Sequence, residues 1–261
     1  MKRVAVMQDL SCYGKCALTV ALPVLSAAGC AVSALPTAVL STHTGGLGRP
    51  HVRDLSGDLP DILDHWERLG LRFDGVYTGY LASPEQALLA QRLLRDFRAD
   101  GGVALCDPAM GDHGVLYGGL PADMPAAMAR VCAAADVIVP NHTEAALLGA
   151  PTTEGLAARF GCRVVLTGVE RGDLTGAAVR EGAAEELVLG ERLPGAYHGS
   201  GDLFAAVLLA GLMAELPLPR AARAAVDFTH DAVGETARRG GDERAGLCFE
   251  PLLPRLPDYL K

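Results

Sequence analysis

The chain has 261 residues, half of them hydrophobic, and a formal net charge of −8. This charge, with no long basic run, argues against a nucleic-acid-binding surface. No apolar stretch approaches the roughly eighteen residues of a membrane span, and the apolar run after Arg3 is too short for a signal peptide, so we expect a cytoplasmic protein with no membrane partner. The seven cysteines form no C-x-x-C pair, which is typical of free thiols in a reducing compartment.

Short apolar strands alternate with helices along the chain. The predicted strands are 3–7, 31–40, 75–78, 103–106, 137–139, 163–167, 177–179 and 186–189. The predicted helices are 17–28, 59–69, 84–97, 124–135, 141–148, one that begins near Gly201, and 220–238. This alternation predicts one doubly wound α/β domain over residues 1–261, with a mostly parallel sheet and helices on both faces. Its ligands should bind at the carboxyl ends of the strands.

The residues Gly199 to Asp202 join a glycine-rich turn to a long apolar helix. The first N–H groups of a helix have no partner within it and lie at the positive end of its dipole, so they can bind a phosphate group. Glycines at 199 and 201 would let the phosphate approach the backbone, and Asp202 would lie beside it as a base. An ordinary helix start with Ser200 as the N-cap explains the same residues without a ligand.

Two carboxylates, Asp107 and Asp112, stand in a loop that leaves a predicted strand. They are suited to hold Mg²⁺, mainly through water, because this ion gives up its water reluctantly. The alternative is an Asp-Pro turn with a solvated aspartate. Asn141 and Glu144 have the spacing of a capping box, which fits either a helix start alone or one whose Glu also orients metal-bound water while its Asn contacts phosphate.

Two histidines are candidate ligand contacts, and three motifs of other enzyme classes are absent from the sequence. His43 lies in a loop rich in Ser, Thr and Gly and is suited to contact a small ring, whereas His198 is either a phosphate neighbour or a plain loop residue. The chain has no G-x-x-x-x-G-K-[ST], no G-x-G-x-x-G after its first strand and no G-x-S-x-G. These absences argue against a P-loop enzyme, a dinucleotide oxidoreductase and an α/β-hydrolase.

Taken in order, these segments resemble the pyridoxal/pyridoxamine kinases of the ribokinase-like superfamily over nearly the whole chain. The matching segments are Ser41–Gly45, Thr78–Tyr80, Asp107–Asp112, Pro140–Ala145 and Gly199–Ala206. The opening Gln8–Cys16 is most similar to the bacterial branch usually labelled pyridoxamine kinase. Six ordered matches favour a functional role for Asp202 over a plain helix start.

The resemblance implies transfer of the γ-phosphate of ATP to the 5′-hydroxymethyl group of a B6 vitamer. It implies that Asp202 is the base, that Gly199, Ser200 and Gly201 complete an anion hole, and that Mg²⁺ is placed by Asp107, Asp112 and Glu144. The implied nucleotide contacts are Asn141, Glu144, Thr167, Gly168, Gly199 and Gly201. The implied substrate contacts are Asp9, His43, Thr44, Gly45 and Tyr80. A monovalent cation is a further candidate cofactor, and a homodimer is expected.

Three positions depart from the family's better-studied members. Asp9 stands where those enzymes carry Ser, Ser200 where they carry Thr, and Gly46 where they carry an aromatic residue. The extra carboxylate suggests the hypothesis that Asp9 favours the cationic amine of pyridoxamine over the aldehyde of pyridoxal. Two other functions stay open: a hydroxymethylpyrimidine kinase, whose related family usually carries Cys at the base position, and a catalytically silent vitamer or nucleotide sensor on the same fold.

Overall fold

Nine strands form one mixed sheet in the computed structural model, which describes residues 1–195, 197–240 and 242–261. The strands are β1 (Arg3–Ser11), β2 (Ala31–Leu40), β3 (Val52–Asp54), β4 (Phe73–Thr78), β5 (Arg98–Cys106), β6 (Gly111–Asp112), β7 (Val115–Leu116), β8 (Val137–Ile138), β9 (Arg163–Arg171), β10 (Leu174–Glu181) and β11 (Ala184–Glu191). The helices are α1 (Leu18–Ala27), α2 (Leu59–Arg68), α3 (Pro84–Asp96), α4 (Met124–Cys132), α5 (His142–Leu147), α6 (Thr153–Phe160), α7 (Ser200–Met213), α8 (Leu218–Arg239) and α9 (Leu256–Tyr259).

The strand order in the sheet is β11-β10-β9-β8-β5-β4-β1-β2-β3, while β6 and β7 form a separate hairpin. The central pairs from β2 to β9 are parallel. The outer strands β3, β10 and β11 pair antiparallel at the two ends of the sheet. The predicted doubly wound, mostly parallel sheet is therefore confirmed, and the carboxyl ends of its parallel strands meet along one edge.

Two apolar layers cover the sheet. One contains α1, α7 and α8, and the other contains α2, α3 and α4. Helix α7 is buried from Leu203 to Met213. That burial explains why it is apolar on every side, since a helix with no polar face belongs in a core. No helix within the described part of the chain is both long and apolar enough to cross a bilayer.

Several elements differ from the sequence-based expectation. β1 continues to Ser11 instead of ending at Met7, because it resumes its pairing with β2 after a register shift beyond Gln8. β3, the β6–β7 hairpin and α6 were not predicted. The strands among them have only two or three residues, too few to show a period. Helix α6 has both end signals, a Thr152 N-cap and a left-handed Gly161, but spans only eight residues.

Candidate active site

The start of α7 is a turn that only glycine can make. Gly199 precedes the helix in the left-handed conformation, with φ of 78°. A Cβ at this position would lie 2.0 Å from the carbonyl oxygen of Lys15. No side chain caps the helix, and the N–H groups of Gly201 and Asp202 have no acceptor among the described residues. The alternative with Ser200 as a plain N-cap is therefore wrong, and the turn presents free donors instead.

Asp202 lies in the first turn of α7 and lines a cavity of about 500 Å³. Burial, with the Asp9 carboxylate adding to it, raises the pKa of Asp202 to about 7, while the backbone of Ala17 opposes this rise. Ala17 itself has φ of 47°, which is uncommon for a residue other than glycine. A carboxyl group with a pKa near neutrality is suited to accept a proton from a substrate.

The same cavity collects the predicted metal and nucleotide residues. Its lining includes Asp107, Asp112, Asn141, Glu144, Thr167, Gly168, Gly199, Ser200, Gly201 and Asp202. The lining also includes residues that the sequence did not indicate: Tyr117, Gly176, Gly190, Leu193, Val226, Thr229 and His230. Nothing in the sequence shows which turn of α8 faces the cavity, since its apolar pattern indicates only a core helix.

Asp107 and Asp112 have different surroundings. Asp107 follows β5 directly and is buried. Burial, with the nearby carboxylates of Glu144 and Asp202, raises its pKa well above the ordinary value. None of the described residues donates a hydrogen bond to its carboxyl group. Asp112 is exposed; its Oδ1 accepts a hydrogen bond from the His113 N–H at 2.8 Å, and its Oδ2 lies 3.6 Å from the His113 imidazole. Asp107 and the Oδ2 atom of Asp112 therefore remain available as acceptors.

Asn141 and Glu144 connect the loop after β5 to the start of α5. They form the predicted capping box. The Glu144 carboxylate also accepts a hydrogen bond from the Met110 N–H at 3.2 Å, and the Asn141 amide donates to the Gly111 carbonyl at 2.9 Å. Burial raises the pKa of Glu144 to about 8. The two side chains thus hold the Asp107–Asp112 loop in place, in addition to lining the cavity.

The carboxylates do not form an all-protein metal centre. Within residues 1–195, 197–240 and 242–261, no three Asp, Glu, His or Cys side chains converge closely enough to hold an ion. Mg²⁺ usually takes only one or two carboxylates and keeps several waters. The oxygen donors of Asp107 and Asp112 fit an ion held in that way.

Thr167 and Gly168 lie at an irregular point of β9. The Thr167 N–H donates to the Pro140 carbonyl at 2.9 Å. The pairing with β10 shifts here, so that Gly168 is left without a partner strand residue, and its φ is 72°. A β-bulge of this kind turns the backbone out of the ladder beside a site. It directs this part of β9 towards the cavity.

The predicted substrate residues lie beside this cavity rather than in its lining. Asp9 is buried and accepts a hydrogen bond from the Ser11 hydroxyl at 3.0 Å. Burial raises the pKa of Asp9, and burial together with the Asp9 charge raises the pKa of Tyr80. Asp9 also raises the pKa of Asp202, so its carboxylate lies near both Tyr80 and the candidate base.

His43 has a fixed hydrogen-bonding pattern. Its Nδ1 accepts a hydrogen bond from the Gly45 N–H at 3.0 Å, so in the neutral ring Nε2 carries the proton and donates to the Arg244 carbonyl at 2.6 Å. The ring centroid lies 4.7 Å from that of His198, which lines the cavity. Thr44, by contrast, is exposed. The structure therefore places Asp9 near Asp202 and Tyr80 near Asp9, whereas His43 and Gly45 lie against His198 and Thr44 is at the surface.

Comparison with known proteins agrees with this geometry. A family model described as phosphomethylpyrimidine kinase matches residues 67–245, which is more than half of the chain. The chain belongs to this kinase family. A pyridoxal kinase of Lactobacillus plantarum is 38% identical, with a TM-score of 0.93 over 99% of this chain and 97% of that one. A pyridoxine/pyridoxal/pyridoxamine kinase of Bordetella bronchiseptica is 29% identical over 91% of this chain and 90% of its own length.

A more distant relative shows the same fold. The pyridoxal kinase of Leishmania donovani, solved in complex with ADP and pyridoxamine, is 24% identical and has a TM-score of 0.85 over 98% of this chain and 96% of that one. The resemblance to pyridoxal kinases with the ribokinase-like fold is thus confirmed, and the protein is an enzyme of this kinase type.

Proposed function

We propose that this kinase transfers the γ-phosphate of ATP to the 5′-hydroxymethyl group of a B6 vitamer. The observation that carries the proposal is the position of Asp202. Its carboxyl group, with a pKa of about 7, lies beside free backbone donors, in one cavity with Asp107 and Asp112 and next to Asp9. The similar kinases of Lactobacillus plantarum and Bordetella bronchiseptica support B6 vitamers as the substrate class.

The residues at the start of α7 would carry the chemistry. Phosphoryl transfer needs in-line positioning and neutralisation of charge more than covalent participation by the protein. Asp202 accepts the hydroxyl proton as the oxygen attacks phosphorus. The Gly201 and Asp202 N–H groups, on a turn shaped by Gly199 and Ser200, donate to the transferring phosphoryl oxygens. Each well-aimed donor lowers the barrier by about 3 kcal/mol, by analogy with oxyanion sites.

ATP would occupy the cavity, with its phosphates towards Gly199 and the Asn141–Glu144 segment and Thr167 and Gly168 alongside. A bound Mg²⁺ would neutralise phosphate charge, and Asp107, Asp112 and Glu144 would hold it mainly through its waters. A complex with ADP is known for the Leishmania donovani enzyme. From the family resemblance alone we expect a cytoplasmic homodimer, with a monovalent cation as a further candidate cofactor.

The vitamer would bind on the side of Asp202 where Asp9, His43, Gly45 and Tyr80 lie, with Thr44 at its outer edge. Burial raises the pKa of Asp9, so its ionised carboxylate is costly unless a positively charged partner lies beside it. A substrate that carries a positive charge next to the ring is therefore favoured. The cationic amine of pyridoxamine supplies that partner, whereas the aldehyde of pyridoxal does not. We therefore propose pyridoxamine as the preferred vitamer.

A coupled assay of ADP release tests the substrate class. Pyridoxamine, pyridoxal, pyridoxine and hydroxymethylpyrimidine are supplied separately with ATP and Mg²⁺, and kcat/KM is compared. We expect turnover of the three vitamers, with pyridoxamine ahead. Because the matching family model is described as phosphomethylpyrimidine kinase, turnover of hydroxymethylpyrimidine alone would replace the proposal with that activity. Binding of vitamer and nucleotide without any ADP release would indicate a sensor instead.

A further inference from the structure

A polar side chain lies under the site without a role in the chemistry above. Tyr77 in β4 is fully buried, and its hydroxyl has no hydrogen-bond partner among the described residues. A buried polar group left unpaired costs about 1–3 kcal/mol. A phenylalanine would fill the same space without that cost, so the hydroxyl calls for an explanation.

The register of the sheet places this hydroxyl near the site. Tyr77 pairs with Val6 of β1 on one side and with Leu105 of β5 on the other. Side chains alternate along a strand, so the residues two positions further, Gln8 and Asp107, lie on the same face as Tyr77. Side chains in strands lean along the strand, and a tyrosine is long enough to reach diagonal neighbours. The hydroxyl therefore points between Gln8 and Asp107.

Helix α7 covers this face of the sheet. A Cβ on Gly75, two residues before Tyr77, would lie 3.0 Å from the sulfur of Met213 at the end of α7. Burial raises the pKa of Tyr77, and the charges of Asp107 and of Asp202 at the start of α7 add to this rise, while the adjacent Gln8 side chain opposes it. The Tyr77 hydroxyl thus lies on the face of the sheet that α7 covers, next to Gln8 and near Asp107.

The Gln8 amide and the Asp107 carboxylate, both near the Tyr77 hydroxyl, also lack hydrogen-bond partners on their side chains within the described residues. Gln8 is fully buried, and neither its Nε2 nor its Oε1 has a partner within the described residues. Its amide lies against the backbone at the carboxyl end of β4, since a Cβ on Gly79 would be 2.3 Å from Gln8 Nε2. Asp107, on the same face, accepts no hydrogen bond from the residues that the structure describes. Complementary groups left unpaired side by side are typical of a buried water site.

We propose that Tyr77 is a positioning residue which, together with Gln8, holds one water molecule beneath Asp107 and so fixes the orientation of that carboxylate. A buried water makes about three hydrogen bonds. The Tyr77 hydroxyl, the Gln8 amide and the Asp107 carboxylate supply that number. Asp107 then faces the cavity in one orientation before ATP binds. The kinetic part of this inference rests on the proposed function, whereas the water site itself does not.

Tyr77→Phe removes only the oxygen and tests the role in positioning. We expect kcat for pyridoxamine to fall about fivefold, the effect of weakening one hydrogen bond to a charged group through water. We expect both KM values to stay within about twofold and Tm within about 4 °C of the wild type, since no packing is lost. An unchanged kcat would overturn the inference. A fall in kcat accompanied by an equal rise in KM, or by a large loss of Tm, would also overturn the inference. A merely structural role of Tyr77 would produce either of these results.

Thr37→Val is the matched control. The Thr37 hydroxyl is also buried without a partner within the described residues, but Thr37 shares its face of β2 with Leu35, which packs in the opposite apolar layer. Loss of this hydroxyl should leave kcat unchanged. A fivefold fall in Thr37→Val as well would show a general effect of buried hydroxyl groups and would contradict a specific role for Tyr77.

A crystal structure of the wild-type enzyme at a resolution that shows ordered water tests the site without activity. We expect one water within about 3 Å of the Tyr77 hydroxyl, the Gln8 amide and the Asp107 carboxylate. Direct contact between Tyr77 and Asp107, or no water there, would overturn it. If the wild type phosphorylates no vitamer while this water is present, the proposed function fails and the water site stands.

Discussion

The two sides of the candidate active site are built from different parts of the chain. On the proposed nucleotide side, the groups are backbone N–H donors at the start of α7 and a loop after β5 that is held by Asn141 and Glu144. On the proposed vitamer side, the groups are side chains, chiefly Asp9, His43 and Tyr80. Asp202 lies where the two sides meet.

This difference suggests that phosphoryl transfer and substrate preference depend on separate groups in the site. Backbone donors are present whatever the side chains are, so phosphate handling depends on the shape of one glycine turn. Side chains can change without moving the sheet, so ring preference depends on a few positions such as Asp9. Changes on the nucleotide side should therefore reduce turnover of every substrate, and changes on the vitamer side should alter the ratio between substrates.

The largest effect is expected at the junction. Asp202→Asn keeps the shape of the side chain and removes the base, so kcat should fall about 1,000-fold, within the usual range for loss of a general base. Both KM values should change little, since the amide still fits. Steady-state kinetics with pyridoxamine and ATP measure this. Glu215→Gln, which alters an exposed carboxylate just beyond α7, is the control. A kcat within tenfold of the wild type would exclude Asp202 as the base.

The second-largest effect is expected from a substitution in the glycine turn before α7. Gly199→Ala places a Cβ 2.0 Å from the Lys15 carbonyl in a left-handed conformation. The turn must shift, and kcat should fall about 100-fold for every vitamer through loss of donor alignment. Gly161→Ala is the matched control, because Gly161 has φ of 67° and a Cβ there would meet no other atom within 4 Å. Equal losses in the two variants would attribute the effect to backbone strain alone.

Asp9→Asn should change the ratio between vitamers. We expect kcat/KM for pyridoxamine relative to pyridoxal to fall about tenfold, the value of a hydrogen bond to a charged group. The acid limb of the kcat/KM profile, set near pH 7 by Asp202, should also move to lower pH, because the Asp9 charge contributes to the raised pKa of Asp202. Competition between the two vitamers at several pH values measures both effects. A constant ratio would refute the role of Asp9 in selection.

The smallest effect concerns stability. The pKa of Asp202 is raised to about 7 in the folded protein, whereas an unfolded aspartate titrates near 3.9. The folded state therefore binds more protons between these values, and wild-type stability falls as the pH rises from about 4 to about 7. Asp202→Asn has no carboxyl group to ionise and lacks this loss. The Tm of the variant minus that of the wild type should therefore be about 5 °C higher at pH 8 than at pH 5. Scanning calorimetry at both pH values tests this, and no change would mean that Asp202 is not buried as an ionised group.

The sequence predicted the parts of the site that depend on local chain chemistry. The glycine turn before Asp202 and the capping box of Asn141 and Glu144 are specified by neighbouring residues, and both form as expected except that Ser200 is not a cap. The fold class followed from the alternation of apolar strands and helices. Strand limits were less predictable, because β1 extends to Ser11 through pairing with β2.

What the sequence did not predict arises from tertiary packing. The wall of the cavity on α8, which includes Thr229 and His230, depends on how that helix packs. Ala17, with its unusual φ, follows Lys15 and Cys16, which lie against the α7 turn. Tyr77 looks like an ordinary core residue until the strand order places it beside Asp107. Each of these features joins residues far apart in the chain, so no local pattern indicates it.

The most direct test of the account is a crystal structure with pyridoxamine and a non-hydrolysable ATP analogue. We expect a carboxylate oxygen of Asp202 to lie about 2.6–3.2 Å from the 5′-hydroxyl oxygen, with the γ-phosphate against the Gly201 and Asp202 N–H groups. A 5′-hydroxyl directed away from Asp202, or a γ-phosphate bound elsewhere in the cavity, would contradict it.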